Sequence, residues 1–150
     1  MKDKQKSIRV VGIVLIVLSS LTIITSLIGL VYVIDFIAEG ISKVEDLSYE
    51  GQMLSYAKPI AVISVALGLG FLVAGIFIMY YKNWARILAQ AFAVLYLINF
   101  WYQAVFIAPY NPFDKGEFGL EQLLGALLWS VPILLLIRFL RKEDVKNHFA

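Results

Sequence analysis

Four uninterrupted apolar runs, each closed by charge, decide what this chain can fold into. The first extends from Val10 to Ile34 between Arg9 and Asp35, and the second from Pro59 to Tyr81 between Lys58 and Lys82. The third follows almost at once and continues to about Ala108; the fourth runs from Gln122 to Ile137 between Glu121 and Arg138. A helix rises about 1.5 Å per residue and the hydrocarbon of a bilayer is about 30 Å thick, so about 20 apolar residues cross it. Soluble domains carry about 25% charged residues, whereas this chain of 150 residues is 16% charged and 61% hydrophobic. A water-soluble core of that size cannot hide so much apolar surface. The chain therefore reads as all-α, an integral membrane four-helix bundle forming one transmembrane domain over residues 1–150.

The predicted helices cover about 8–37, 59–81, 84–108 and 119–141, with an outer loop at 38–58 and a basic C-terminal tail at 141–150. Lys2, Lys4, Lys6 and Arg9 look like the basic start of a signal peptide. A signal's apolar stretch is only about 7–15 residues long, so the first block is expected to stay as a membrane anchor. Pro59 suits the first turn of the second helix, where its missing N–H costs nothing. Lys82 and Asn83 make a tight hairpin between helices two and three, with Asn83 expected to cap the third by accepting from the N–H of Ala85 or Arg86. Pro109 and Pro112 end the third helix, and Pro132 kinks the fourth.

Orientation follows from the basic residues. Ten of the 13 Lys and Arg flank the N-terminus, the hairpin and the C-terminal tail; only Lys43, Lys58 and Lys115 fall elsewhere. The positive-inside rule then places both termini and the hairpin in the cytoplasm. Lys82, Trp84, Arg86, Arg138 and Arg141 serve as inner-face anchors. Between Phe36 and Gly51, Ile37, Ile41, Val44 and Leu47 form an apolar stripe opposite Glu39, Lys43, Glu45 and Asp46, the mark of a helix lying on the outer surface and ended by Gly51.

Ionisable residues inside a bilayer are costly and usually functional, and no block holds one. The carboxylate pairs of a proton-coupled carrier and the base a serine nucleophile needs are both missing at that depth. The chain has no cysteine, and its single histidine, His148, stands in the tail without a ligand cluster. No metal site, cofactor or catalytic residue is expected. A net charge of +2 without a basic face gives no support for nucleic-acid binding.

Two features remain. Ala66, Gly70 and Ala74 repeat every four residues on helix two, as do Ala85, Ala89 and Ala93 on helix three. Small residues at that spacing let backbones approach, so the two helices are expected to pack on each other, or one ladder to serve an oligomer or partner. A methyl group at Gly70 should be tolerated and a leucine should not. The second feature is polar. Tyr96, Asn99, Gln103 and Tyr110 share a spacing on helix three, and Ser19, Thr22, Ser26 and Gly29 share one on helix one. These faces either tie helices together or line an outward crevice with Asp35 and Glu121 at its lip.

The turn Lys82-Asn83-Trp84-Ala85-Arg86, between a Gly-rich and an Ala-rich helix, resembles the inner hairpin of small prokaryotic four-helix membrane proteins in which a basic residue precedes Trp-Ala-Arg. The resemblance covers about the middle third of the chain and implies a prokaryotic plasma membrane, multi-pass. It carries no activity across. The expectation is a non-enzymatic protein acting by helix–helix association in the lipid bilayer, as an accessory or regulatory subunit or a homo-oligomer. The alternatives are a small-solute channel or carrier using the polar crevice, and a membrane immunity protein against a toxin.

Overall fold

The computed structural model describes residues 2–33, 48–107 and 120–149. Helix α1 (Lys2–Ile28) runs on into a π-helical stretch at Gly29–Val33. Helix α2 spans Ser48–Met79, and α3 (Asn83–Tyr102) runs on into a second π-helical stretch at Gln103–Ile107. Helix α4 spans Leu120–Arg141, and a short α5 covers Glu143–Lys146. Four stretches are long and apolar enough to cross a membrane: Gln5–Tyr32, Lys58–Met79, Asn83–Phe106 and Leu123–Arg141.

Helices α1 and α2 start earlier than hydropathy alone predicts. Helix α2 begins eleven residues before Pro59 and continues through Gly51, so Pro59 lies inside it and Gly51 ends nothing. The physical reason is that an apolar block marks where hydrocarbon begins, while a nucleated helix adds a hydrogen bond per residue on either side of that boundary. Asp35, Tyr110 and the stripe from Ile37 to Leu47 lie outside the described residues. So does the expected third-helix end at Pro109 and Pro112.

The α2–α3 turn is a Schellman cap. Tyr81 N–H donates to the Ile78 carbonyl at 2.9 Å, and Lys82 N–H reaches back to Phe77 at 3.1 Å. That closure needs a left-handed residue, and Tyr81 supplies it with φ of 57°, a position glycine usually holds. Helix α3 then starts at Asn83, with Lys82 extended in the capping position and no side-chain cap. Asn83 does not cap; its Oδ1 accepts from Arg86 Nε at 3.0 Å.

At Gly12 and Gly75, backbone of α1 meets backbone of α2. A Cβ built on Gly12 would lie 2.9 Å from the Gly75 carbonyl oxygen, and one on Gly75 would lie 3.0 Å from that of Gly12. Seven residues away on α2, a Cβ on Gly68 would meet Ile23 Cγ1 at 2.7 Å and the Ser19 carbonyl oxygen at 3.4 Å. The predicted ladder of α2 is divided: Ala74 is buried, Gly70 lies under the Phe92 ring, and Ala66 is exposed. The α3 ladder stays whole, with Ala85, Ala89 and Ala93 all buried.

Ile8, Leu15, Ala74, Ile78, Ala85, Ala89, Leu140 and Val145 form one buried cluster at the end of the bundle that holds the turn. The C-terminal tail contributes to it. The helix of α4 breaks at Lys142 in the basic tail, and α5 turns back so that Val145 is buried and Phe149 packs on the cluster. Around the bundle α1 packs on α2, α2 on α3 and α3 on α4, but α1 and α4 scarcely approach each other.

Candidate functional site

That missing contact leaves a cleft. A cavity of about 710 Å³ separates α1 from α4, walled by Val10, Val14, Leu18 and Leu21 on one side and by Trp129, Pro132, Leu135 and Leu136 on the other. Its floor is Gly68 and Phe71 of α2 with Tyr96 and Phe100 of α3. Phe139 and Leu15 close it at the turn end, against the buried cluster.

The floor is a continuous aromatic surface. The Phe71 ring meets Phe92 at 6.1 Å and Tyr96 edge-on at 6.2 Å, and Tyr96 stacks on Phe100 with the planes 10° apart. Such contacts hold rings in place beyond the burial they provide. The floor is therefore preformed.

Four hydroxyls line the cleft: that of Tyr96 on the floor and three on α1, which are already committed. Ser19 Oγ donates to the Ile16 carbonyl at 3.1 Å, Thr22 Oγ1 to Leu18 at 2.9 Å and Thr25 Oγ1 to Leu21 at 2.9 Å. Hydroxyls that bond back to their own helix present methyl and methylene surface outward. The cavity wall includes no Asp, Glu, Lys, Arg, His or Cys, and among the described residues no three potential ligands converge on a metal position. What the wall offers is apolar shape.

Of the described residues proposed for a polar crevice, those that line a hollow are divided between two. Tyr96 faces this cleft, whereas Asn99 lines a separate hollow of about 400 Å³ between α2 and α3 with Ile63, Leu67, Leu95, Ile98 and Tyr102. Gln103 begins the π-helical stretch and is half-buried. On helix one Ser26 and Gly29 are half-buried and line neither hollow. Asp35 and the Glu121 side chain lie outside what is described.

The anchor residues divide in the same way. Lys82, Trp84, Arg138 and Arg141 are exposed, but Arg86 is buried at 8% exposure. Its Nη1 donates to the Leu140 carbonyl at 3.1 Å and its guanidinium lies 6.0 Å from the Phe149 ring centroid. Nearby, Arg9 sits 5.9 Å over the Tyr81 ring, and the Tyr81 hydroxyl donates to the Gln5 carbonyl at 3.4 Å. The N-terminal segment, the turn and the C-terminal tail thus meet at one end of the molecule.

Sequence reasoning missed the Gly12, Gly68 and Gly75 seam, although the seven-residue spacing of Gly68 and Gly75 was available to find it. It also missed the bond from Trp101 Nε1 to Ser130 Oγ at 3.0 Å, which ties α3 to α4. An indole N–H buried in an apolar segment requires an acceptor, and a serine on a neighbouring helix is the natural one. Comparison with protein-family models, with curated proteins and with solved structures found no match for this chain.

Proposed function

We propose that this chain is a non-enzymatic integral membrane protein that acts by binding an apolar component of the bilayer in the cleft between α1 and α4. The observation that carries this reading is the cleft itself, a preformed hollow of about 710 Å³ walled by apolar side chains and open between two helices. Ligand cavities typically measure about 300–1,000 Å³ and are mostly apolar. A group that performs acid–base or nucleophilic chemistry needs a titratable partner at the site, and the wall provides none from its carboxylate, histidine, lysine or cysteine inventory. The committed hydroxyls argue against a solute path, because a hydrated solute needs donors and acceptors turned toward it.

Membrane insertion is part of the proposal. Its support is the outer surface: Ile24, Ile87, Ile98 and Leu128 are all more than half exposed, and no more than 28% of any candidate span is buried inside the molecule. Hydrocarbon is the solvent such a surface needs. The proposed topology puts the turn end, with both termini, in the cytoplasm of a prokaryotic cell. The charge asymmetry supports the compartment, and the contacts among Gln5, Tyr81 and Phe149 support a common side for the three segments.

The test is displacement of an environment-sensitive fluorescent fatty-acid analogue from purified protein in detergent. Saturable binding at one site per chain, lost in Leu18→Trp and kept in Leu128→Trp, is the expected result. Equal binding by the two variants would move the site away from the cleft.

A further inference from the structure

Building on the reading of the cleft as a binding site, we infer that its occupant is one acyl chain of an anionic phospholipid from the cytoplasmic leaflet. Size comes first. The cleft offers about 710 Å³. A hollow of that size is in the range that takes one flexible chain.

Length agrees with that choice. The α4 wall extends from Trp129 to Phe139, about 15 Å at the helical rise, and the α1 wall from Val10 to Thr25, about 22 Å, so the cleft is at least as long as the shorter figure. One leaflet is half of a hydrocarbon core about 30 Å thick, again about 15 Å. The committed hydroxyls of Ser19, Thr22 and Thr25 ask nothing polar of the ligand, which leaves the Tyr96 hydroxyl and the Trp129 indole as the polar groups of an otherwise apolar lining. Methylene groups suit most of that lining.

Charge fixes the direction of the chain. Lys6 precedes the lining residue Val10 by four positions, and Arg138 follows the lining residue Leu135 by three. Residues at those spacings are neighbours on a helix surface, so an exposed cation stands over each rim of the cleft at its turn end. Within α1 and α4 no Lys or Arg follows Arg9 or precedes Arg138. A phosphate or phosphodiester headgroup at the turn end, with its tail running toward Thr25, meets cations where it needs them and hydrocarbon elsewhere. Basic residues beside a bilayer attract anionic lipid in this manner.

Native mass spectrometry of delipidated protein, titrated separately with phosphatidylglycerol and phosphatidylcholine of the same chains, tests the inference. One phosphatidylglycerol should be retained per chain with roughly thirtyfold preference, the scale of two cations near an anionic headgroup. Leu18→Trp and Leu135→Trp should each abolish retention of both lipids, while the outward Leu128→Trp should not. The double variant Lys6→Gln/Arg138→Gln leaves the apolar wall intact; it should keep one lipid and lose the preference. Retention unchanged in the tryptophan variants would overturn the inference, and so would equal preference in parent and double variant. Where neither lipid is retained but the fluorescent fatty-acid analogue still binds in the cleft, the phospholipid assignment fails and the binding site stands. Loss of both signals removes the site as well.

Discussion

The Arg86 guanidinium, at the start of α3, donates from Nη1 to the carbonyl oxygen of Leu140 near the end of α4, 3.1 Å away across 54 residues of chain. Last-turn carbonyls of a helix lack partners within it, and a cation there also faces the negative end of the helix dipole. Arg86 answers both needs while its Nε is held by Asn83. Arg86→Leu should lower the stability of the purified protein by about 2–3 kcal/mol, since a buried charge-assisted hydrogen bond is lost and a buried carbonyl is left unpaired. Arg86→Lys should recover less than half of that, because an ammonium cannot span both acceptors as a planar fork does. Thermal unfolding in detergent reads the series, and a lysine variant as stable as the parent would show that charge alone matters.

Gly75 and Gly12 face each other through backbone rather than side chains. Gly75→Leu should push α1 from α2 and cost about 1–3 kcal/mol, the scale of overpacking. Gly70→Ala, which spacing alone presents as mild, should also destabilise, because its methyl group would occupy the position of the Phe92 ring. Combining it with Phe92→Leu should restore part of the loss. Melting temperatures of the two single variants and the double variant decide the point.

The helical content and the four apolar spans were legible because hydrocarbon thickness imposes a length on them. The α3 ladder was legible too, since Ala85, Ala89 and Ala93 bury one face of their own helix. The partner of α2 was not. Spacing within one helix describes a groove but does not name its occupant, and the Gly68 and Gly75 seam acquires meaning only beside Gly12 and Ser19 of α1. The cleft was hidden for a related reason. Its walls are Val, Leu and aromatic residues, which look the same in sequence whether they face lipid, a neighbouring helix or a hollow between helices. Arg86 read as an orienting surface charge because its acceptors, Leu140 and the Phe149 ring, come from the far end of the chain.

Tyr81 holds a backbone conformation that costs an L residue about 1–2 kcal/mol. The contacts of its side chain offset that cost: Arg9 over the ring, Phe149 at its edge 6.4 Å away and the bond to Gln5. Tyr81→Gly should therefore change stability by less than about 1 kcal/mol while exposing the N-terminal segment, read as faster proteolysis within residues 2–9. Tyr81→Ala keeps the strain and loses the contacts, so it should be the less stable of the two. The reverse order would remove the side chain's role in closing the turn end.

Fusion reporters test the topology. Cytoplasmic signals are predicted at the N-terminus, at the C-terminus and within the turn at 82–84, with an external signal from a tag at Gly116, as the ten-to-three division of Lys and Arg requires. An external C-terminus would contradict four crossings.

Occupancy of the cleft in the membrane is the central claim, and a photo-crosslinking side chain at position 96 addresses it directly. Tyr96 lies on the cleft floor between Phe71 and Phe100, whereas Ile87 of the same helix is exposed and lines neither hollow. After irradiation of intact cells, intact-protein mass should reveal one adduct of discrete mass at position 96, suppressed by Leu18→Trp, and only diffuse labelling at position 87. Indistinguishable labelling at the two positions, unaffected by filling the cleft, would contradict the account.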